Sequence, residues 1–148
     1  MTDLRIEYDR GIMVIHLEEF LSCRSVAKVK KLLKIIQRSY TPEAADQMQQ
    51  FIKDKVSGLD ALMKVSANQF VRLKEQVRNI QNDVDVWKSQ RDRNTKNSNP
   101  YKHYNDKLKV SREQLRDAKK SLNTVKREFD NHAKDKVFFE KLLSEIFS

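Results

Sequence analysis

The apolar residues of this chain recur with two different periods, and the change of period marks where one kind of element gives way to another. At the N-terminus Leu4, Ile6 and Tyr8 alternate with Arg5 and Glu7, the two-residue repeat of a half-buried strand. Asp9-Arg10-Gly11 then offers a turn, and Ile12-Met13-Val14-Ile15 follows as a second run, apolar on both faces. The pair reads as a β-hairpin. Because an isolated two-stranded hairpin is marginal in water, this one is expected to lie against helices or to pair with another strand, the latter making it a dimerisation edge.

Over residues 25–40 the spacing changes to alternating steps of three and four, through Val26, Val29, Leu33, Ile36 and Tyr40, widened by Leu32 and Ile35. This predicts an amphipathic first helix. Its polar face carries Lys28, Lys30, Lys31, Lys34 and Arg38, which either contact a partner's phosphates or simply keep the face solvated. Thr41-Pro42-Glu43 then reads as a helix start: a hydroxyl cap, proline at the first helical position and a carboxylate at the positive end of the dipole. Asn99-Pro100 repeats that logic, and no proline or glycine interrupts residues 101–148. Two further helices are expected, the second and third in order.

The longest pattern lies in these two. In the second helix Ile52, Val56, Leu59, Met63, Ser66, Phe70, Leu73, Val77, Ile80, Val84 and Trp87 follow one another at strictly alternating steps of four and three. In the third, the series runs from Tyr101 and Tyr104 through Leu108, Ser111, Leu115, Ala118, Leu122, Val125 and Phe129 to His132, Lys136, Phe139, Leu143 and Ile146. A repeat sustained for roughly five heptads keeps one seam facing a partner helix, as coiled-coil packing requires. Folded back antiparallel, the two series pair Trp87 with Tyr101, Ile80 with Leu108, Phe70 with Ala118, Leu59 with Phe129 and Ile52 with Lys136 in a single register. Large faces small where Phe70 meets Ala118, which suits knobs-into-holes packing.

At about 1.5 Å per residue, helices of about forty residues make an arm on the order of 60 Å long. Apolar residues beyond the seam, Phe51, Leu62 and Val65 in the second helix and Val137, Phe138, Leu142 and Phe147 in the third, gather away from the turn. That end is expected to form a base on which the first forty residues pack. The expected fold class is therefore mainly α, a long antiparallel coiled-coil helical hairpin with a small base of one N-terminal β-hairpin and one amphipathic helix. Residues 1–148 form one domain in this reading, with 1–40 in the base, 41–148 in the hairpin and the tip at about 89–100. Gly58 interrupts the second helix off the seam, at a cost of about 1 kcal/mol relative to alanine, and a mild bend is expected there.

Composition supports this picture and removes alternatives. Two glycines and two prolines in 148 residues, with 34% charged, suit long solvent-washed helices better than an α/β globule. Cys23 is the only cysteine, so no internal disulfide and no cysteine-based zinc site can form, and a cytoplasmic setting is expected. No apolar run approaches the roughly 20 residues that span a bilayer, and residues 1–21 mix Asp, Glu and Arg among apolar residues, unlike a signal peptide. His16, His103 and His132 are scattered, without metal-ligand spacing, and neither a Gly-rich phosphate loop nor a nucleophile elbow occurs. The expectation is a protein that is not an enzyme and needs no metal or cofactor.

Charge changes the picture most. A formal net charge of +9 points to a polyanionic partner. Between residues 88 and 104 lie Lys88, Arg91, Arg93, Lys96, Lys102 and His103, side chains able to meet phosphates or carboxylates. Trp87, Tyr101 and Tyr104 are suited to stacking on bases, although their spacing assigns them to the seam. Within the seam itself, His132 and Lys136 call for a partner such as Asp135 or Glu140, or for a margin where the lysine stem snorkels to water. In outline, a helical hairpin with a basic tip is similar to the tRNA-binding arm of seryl-tRNA synthetases, a likeness of shape that shares no motif and transfers no residue. The functional expectation is an interaction module that docks on a nucleic-acid-containing or acidic protein assembly. It would serve as an adaptor or as a small inhibitor of the kind phages and mobile elements encode. The alternative is a homo-oligomeric scaffold, such as a homodimer, with no nucleic-acid contact.

Overall fold

The computed structural model describes residues 3–147, which form β1 (Asp3–Tyr8), β2 (Gly11–His16), α1 (Leu17–Leu21), α2 (Val26–Gln37), α3 (Ala44–Asp92) and α4 (Asn99–Glu145). The two long helices pack antiparallel against each other, and the N-terminal hairpin and small helices complete a mainly helical fold, as the periodicity predicts. By their internal contacts the residues divide into two compact units. One ends at Ala61 and resumes at His132; the other is Leu62–Asn131.

In the first unit, β1 and β2 pair antiparallel with Tyr8 opposite Gly11 and Leu4 opposite Ile15. Gly11 has φ +140°, a backbone conformation that side chains rarely adopt, so glycine closes this two-residue turn. Strand alternation turns Leu4, Ile6, Met13 and Ile15 toward the core and leaves Ile12 and Val14 on the opposite face, about half exposed. Leu4 and Ile6 join Leu17 and Leu21 of α1, Val29, Leu32 and Ile36 of α2, Met48 and Ile52 of α3 and Leu142 of α4 in one buried cluster.

Local chemistry corrects several expectations here. Residues 17–21 form a helix of their own, whose Leu17, Phe20 and Leu21 fall on one face. Ser25 caps α2 by accepting from the Lys28 N–H at 3.3 Å, and the helix stops at Gln37. Tyr40 therefore lies outside it, 68% exposed: its N–H donates to the Glu7 carbonyl at 2.8 Å and its hydroxyl to Asp9. The Thr41 hydroxyl accepts from the Glu7 N–H at 3.1 Å, so it serves strand β1, and α3 enters instead through a turn in which Ala44 N–H donates to the Thr41 carbonyl at 3.0 Å. α3 is one unbroken helix through Gly58.

In the second unit the two stripes take their predicted positions. From Met63 to Trp87 on α3 and from Tyr101 to Phe129 on α4, every position of the two series is buried or half-buried. The polar interruptions, Ser66 and Ser111, are among the most deeply covered, because their small side chains sit beneath the larger neighbours on the same stripe. Leu62 and Val65, expected to extend the apolar base, are 49% and 53% exposed, and Val137 in the first unit is 65% exposed. Each falls off its stripe by one helical step, and a line of helix contact covers no wider band.

At the turn the register departs from the predicted one. Trp87 stacks on Tyr104, with centroids 6.1 Å apart, one seam position beyond Tyr101. Tyr101 lies against Arg91, whose guanidinium is 5.7 Å from its ring centre. The stripe on α3 thus continues past Trp87 to Arg91, an arginine that a count of apolar positions passes over.

Candidate functional site

The basic turn between α3 and α4 is built by residues 93–98. Arg93 N–H closes the last turn of α3 on the Ser89 carbonyl at 3.2 Å, and the Asn94 side-chain amide donates to the Gln90 carbonyl at 2.7 Å. Asn97 takes φ 67°, the left-handed region that asparagine tolerates better than most residues. Ser98 then caps α4 by accepting from the Tyr101 N–H at 3.3 Å, so the cap is Ser98 and the predicted cap, Asn99, is already helical.

The six predicted tip residues separate into two groups. Arg91 is held in place: its side chain is 18% exposed, its Nε donates to Asp92 at 3.1 Å, its Nη1 donates to Asn105 Oδ1 at 3.1 Å, and its guanidinium lies over the Tyr101 ring. It organises the turn. Lys88, Arg93, Lys96 and Lys102 are exposed and make no ion pair among the described residues. His103 stands on the first turns of α4 with its ring edge against Tyr104 at 5.2 Å. Trp87, Tyr101 and Tyr104 are occupied with one another, with Arg91 and with Lys107, which lies 5.7 Å from the Trp87 ring centre. Of five cations and one carboxylate between residues 88 and 104, the carboxylate Asp92 is taken by Arg91, which leaves four cations uncompensated. Such a surface meets oxyanions by charge, with no aromatic platform free for bases.

The second predicted surface is α2. Lys28, Lys30, Lys31 and Lys34 are all exposed along it, Arg38 is exposed at its C-cap, and no acidic residue occurs between Val26 and Gln37. Four cations on one face of a twelve-residue helix repel one another by a few tenths of a kcal/mol per neighbouring pair. The helix is stable because Val29, Leu32 and Ile36 are buried.

Elsewhere in the first unit several charged side chains are matched in pairs. Lys136, a seam position, turns outward to Asp60 at 2.6 Å and Glu140 at 3.6 Å; the hydrogen bond to Asp60 raises its ammonium above the ordinary lysine range. Sequence spacing pointed to Glu140 and missed Asp60, which lies on the other helix. Asp135 pairs with Arg24 instead. Glu18 accepts from Lys55 at 2.7 Å, which holds its carboxyl below the usual range. These last two pairs flank a cleft of about 270 Å³ floored by Phe51, Leu59 and Phe139, and they leave it no unmatched charge for a substrate. Among the described residues no group of three His, Cys, Asp or Glu side chains is arranged to hold a metal ion, and no helix is long and apolar enough to cross a membrane.

No family model, curated protein or solved structure matches this chain.

Proposed function

We propose that this protein is a non-enzymatic interaction module whose basic helical turn docks on the phosphates of a nucleic-acid-containing assembly. The observation that carries this reading is the set of four exposed cations, Lys88, Arg93, Lys96 and Lys102, left without a carboxylate where α3 passes into α4. Charge of this kind releases counterions from a polyanion and so favours binding without reading sequence. The short, capped turn supports it further, because the two α-helices hold the cations on a framework that loses little freedom on contact.

Gel shifts with duplex and single-stranded nucleic acid over a range of salt test this directly. Binding is expected at low salt, with log K falling linearly against log salt. Arg93→Gln, Lys96→Gln and Lys102→Gln together are expected to lower that slope by about three on duplex DNA. Arg91 stays untouched in this variant, since its loss would disturb the turn. Absence of binding at low salt, or a slope that survives the triple substitution, overturns the reading.

A second reading, a homo-oligomeric scaffold, draws on α3, where Val71 is 65% exposed beside Val77 in a shallow surface groove. Two such faces pairing would make a four-helix bundle. Light scattering that returned a dimer whose mass falls on Val71→Glu would favour it.

A further inference from the structure

The β-hairpin has two edges, and the chain treats them differently. A two-residue turn closed by the pair Tyr8 and Gly11 fixes which backbone groups face across the hairpin: those of Tyr8, Ile6 and Leu4 point to β2, and those of Glu7 and Arg5 point away from it. Glu7 confirms the parity, because its N–H donates to the Thr41 hydroxyl at 3.1 Å and its carbonyl accepts from the Tyr40 N–H at 2.8 Å. The edge of β1 is thus covered by the connection between α2 and α3. By the same alternation, Ile12 and Val14 direct their N–H and carbonyl groups outward from β2, and there no described residue meets them. An uncovered edge is a template for another strand.

Both faces beside that edge are prepared for one. On the outer face Ile12 and Val14 are 50% and 54% exposed. On the inner face, between β2 and α2, a trough of about 230 Å³ is lined by Met13, Ile15, Phe20 and Ile35, with Lys28 and Lys31 on its rim. We propose that the open edge of β2 and this trough bind an acidic, extended peptide segment of another protein as a third strand.

Charge decides between that occupant and a second copy of this chain. Two copies joined β2 to β2 across a two-fold axis would form a four-stranded sheet with both α2 helices on the same face. Each would bring Lys28, Lys30, Lys31, Lys34 and Arg38 with no acidic residue among them. Such like-charge juxtaposition opposes that pairing. A foreign strand carrying carboxylates gains where the second copy loses. Strand geometry then sets its pattern: side chains on one face lie beside Ile12 and Val14 and suit β-branched residues, while those on the other place an apolar anchor in the trough flanked by Asp or Glu at Lys28 and Lys31. The backbone supplies affinity and the alternation supplies selectivity. This site shares no residue with the turn between α3 and α4, so either can fail without the other.

The test is selection of random peptides of about ten residues against the full chain, followed by amide hydrogen exchange of the complex. Enriched peptides are expected to alternate apolar and acidic residues, and to slow exchange at the Ile12 and Val14 amides. Methylating the peptide backbone nitrogens at alternate positions is expected to abolish binding in one phase and spare it in the other. Lys28→Glu with Lys31→Glu is expected to weaken binding about tenfold or more, with the circular dichroism spectrum unchanged. Enrichment of basic or helically spaced peptides overturns the proposal, as does indifference to backbone methylation. So does a dimer, seen by light scattering, in which the Ile12 and Val14 amides are already protected.

Discussion

Both units draw on α3 and α4, yet they enclose their apolar residues by different geometries. In the first unit strands and helices approach from several sides, and Leu4, Ile6, Ile36, Met48, Ile52 and Leu142 are completely covered. In the second unit only two helices meet. Between Met63 and Trp87 only Ser66 and Val84 of the α3 stripe are buried, while Phe70, Leu73, Val77 and Ile80 keep a wet flank. A single line of contact between cylinders fully covers small residues and half-covers large ones. Leu108 is the exception, a large side chain fully buried in a two-helix seam. The comparison teaches that an unbroken heptad stripe specifies which residues face inward, whereas the depth of their burial depends on how many elements surround them.

A matched pair of substitutions puts the largest weight on this difference. Ile52 and Ile80 are the same residue type on the same helix and in the same heptad series, but Ile52 is fully covered and Ile80 is half-buried. Deleting a buried isoleucine to alanine costs about 2–5 kcal/mol, rising with the cavity left behind. Ile52→Ala is expected near the upper end of that range. Ile80→Ala is expected at or below the lower end, since solvent already reaches its flank. Urea denaturation of both variants measures this, and equal costs would break the comparison.

The same contrast explains what was legible in the sequence. The second unit could be read almost completely, because a helix pair needs nothing beyond a stripe and a turn, and the residues from Met63 to Phe129 supply both. In the first unit periodicity found β1, β2 and α2 but not α1, whose five residues are too short for a period to show. It also placed Tyr40 and the Thr41 hydroxyl in helix starts and faces, whereas both serve the edge of β1 through contacts more than thirty positions away in the chain. The same long-range matching hid the Asp60 partner of Lys136. At the tip, sequence reading located the cations but could not separate Arg91, which fastens the turn, from Lys88, Arg93, Lys96 and Lys102, which make no ion pair among the described residues. That distinction depends on Tyr101, Asn105 and the displaced register.

Gly58 sharpens the comparison at smaller scale. It is exposed within α3, and a Cβ added there meets nothing within 4 Å. Gly58→Ala therefore changes helix propensity and unfolded-chain freedom without altering burial. A gain of about 1 kcal/mol is expected, with the urea m-value unchanged. If the substitution destabilised the chain, α3 would need glycine's freedom at that point, and its unbroken course through the first unit would have to be redrawn.

The smallest expected effect lies at the open end of the hairpin, where the His16 Nδ1–H donates to Asp3 Oδ1 at 2.6 Å across the strands. That hydrogen bond, and then the charge of Asp3, raise the imidazole above its ordinary value near 6.5. A group whose folded value is raised stabilises the fold fully below its unfolded value and loses that contribution as pH climbs through the folded one. The pair is solvent-exposed, so the contribution is small and weakens with salt. Denaturation of the wild type and of Asp3→Asn at about pH 5.5 and about pH 8.5, on either side of the ordinary imidazole value, isolates it. The wild type is expected to be the more stable at the lower pH, with the gap closing at the higher. A gap that grew as pH rose would mean that neutral His16 is the form the hairpin favours, contrary to the hydrogen bond seen between the strands.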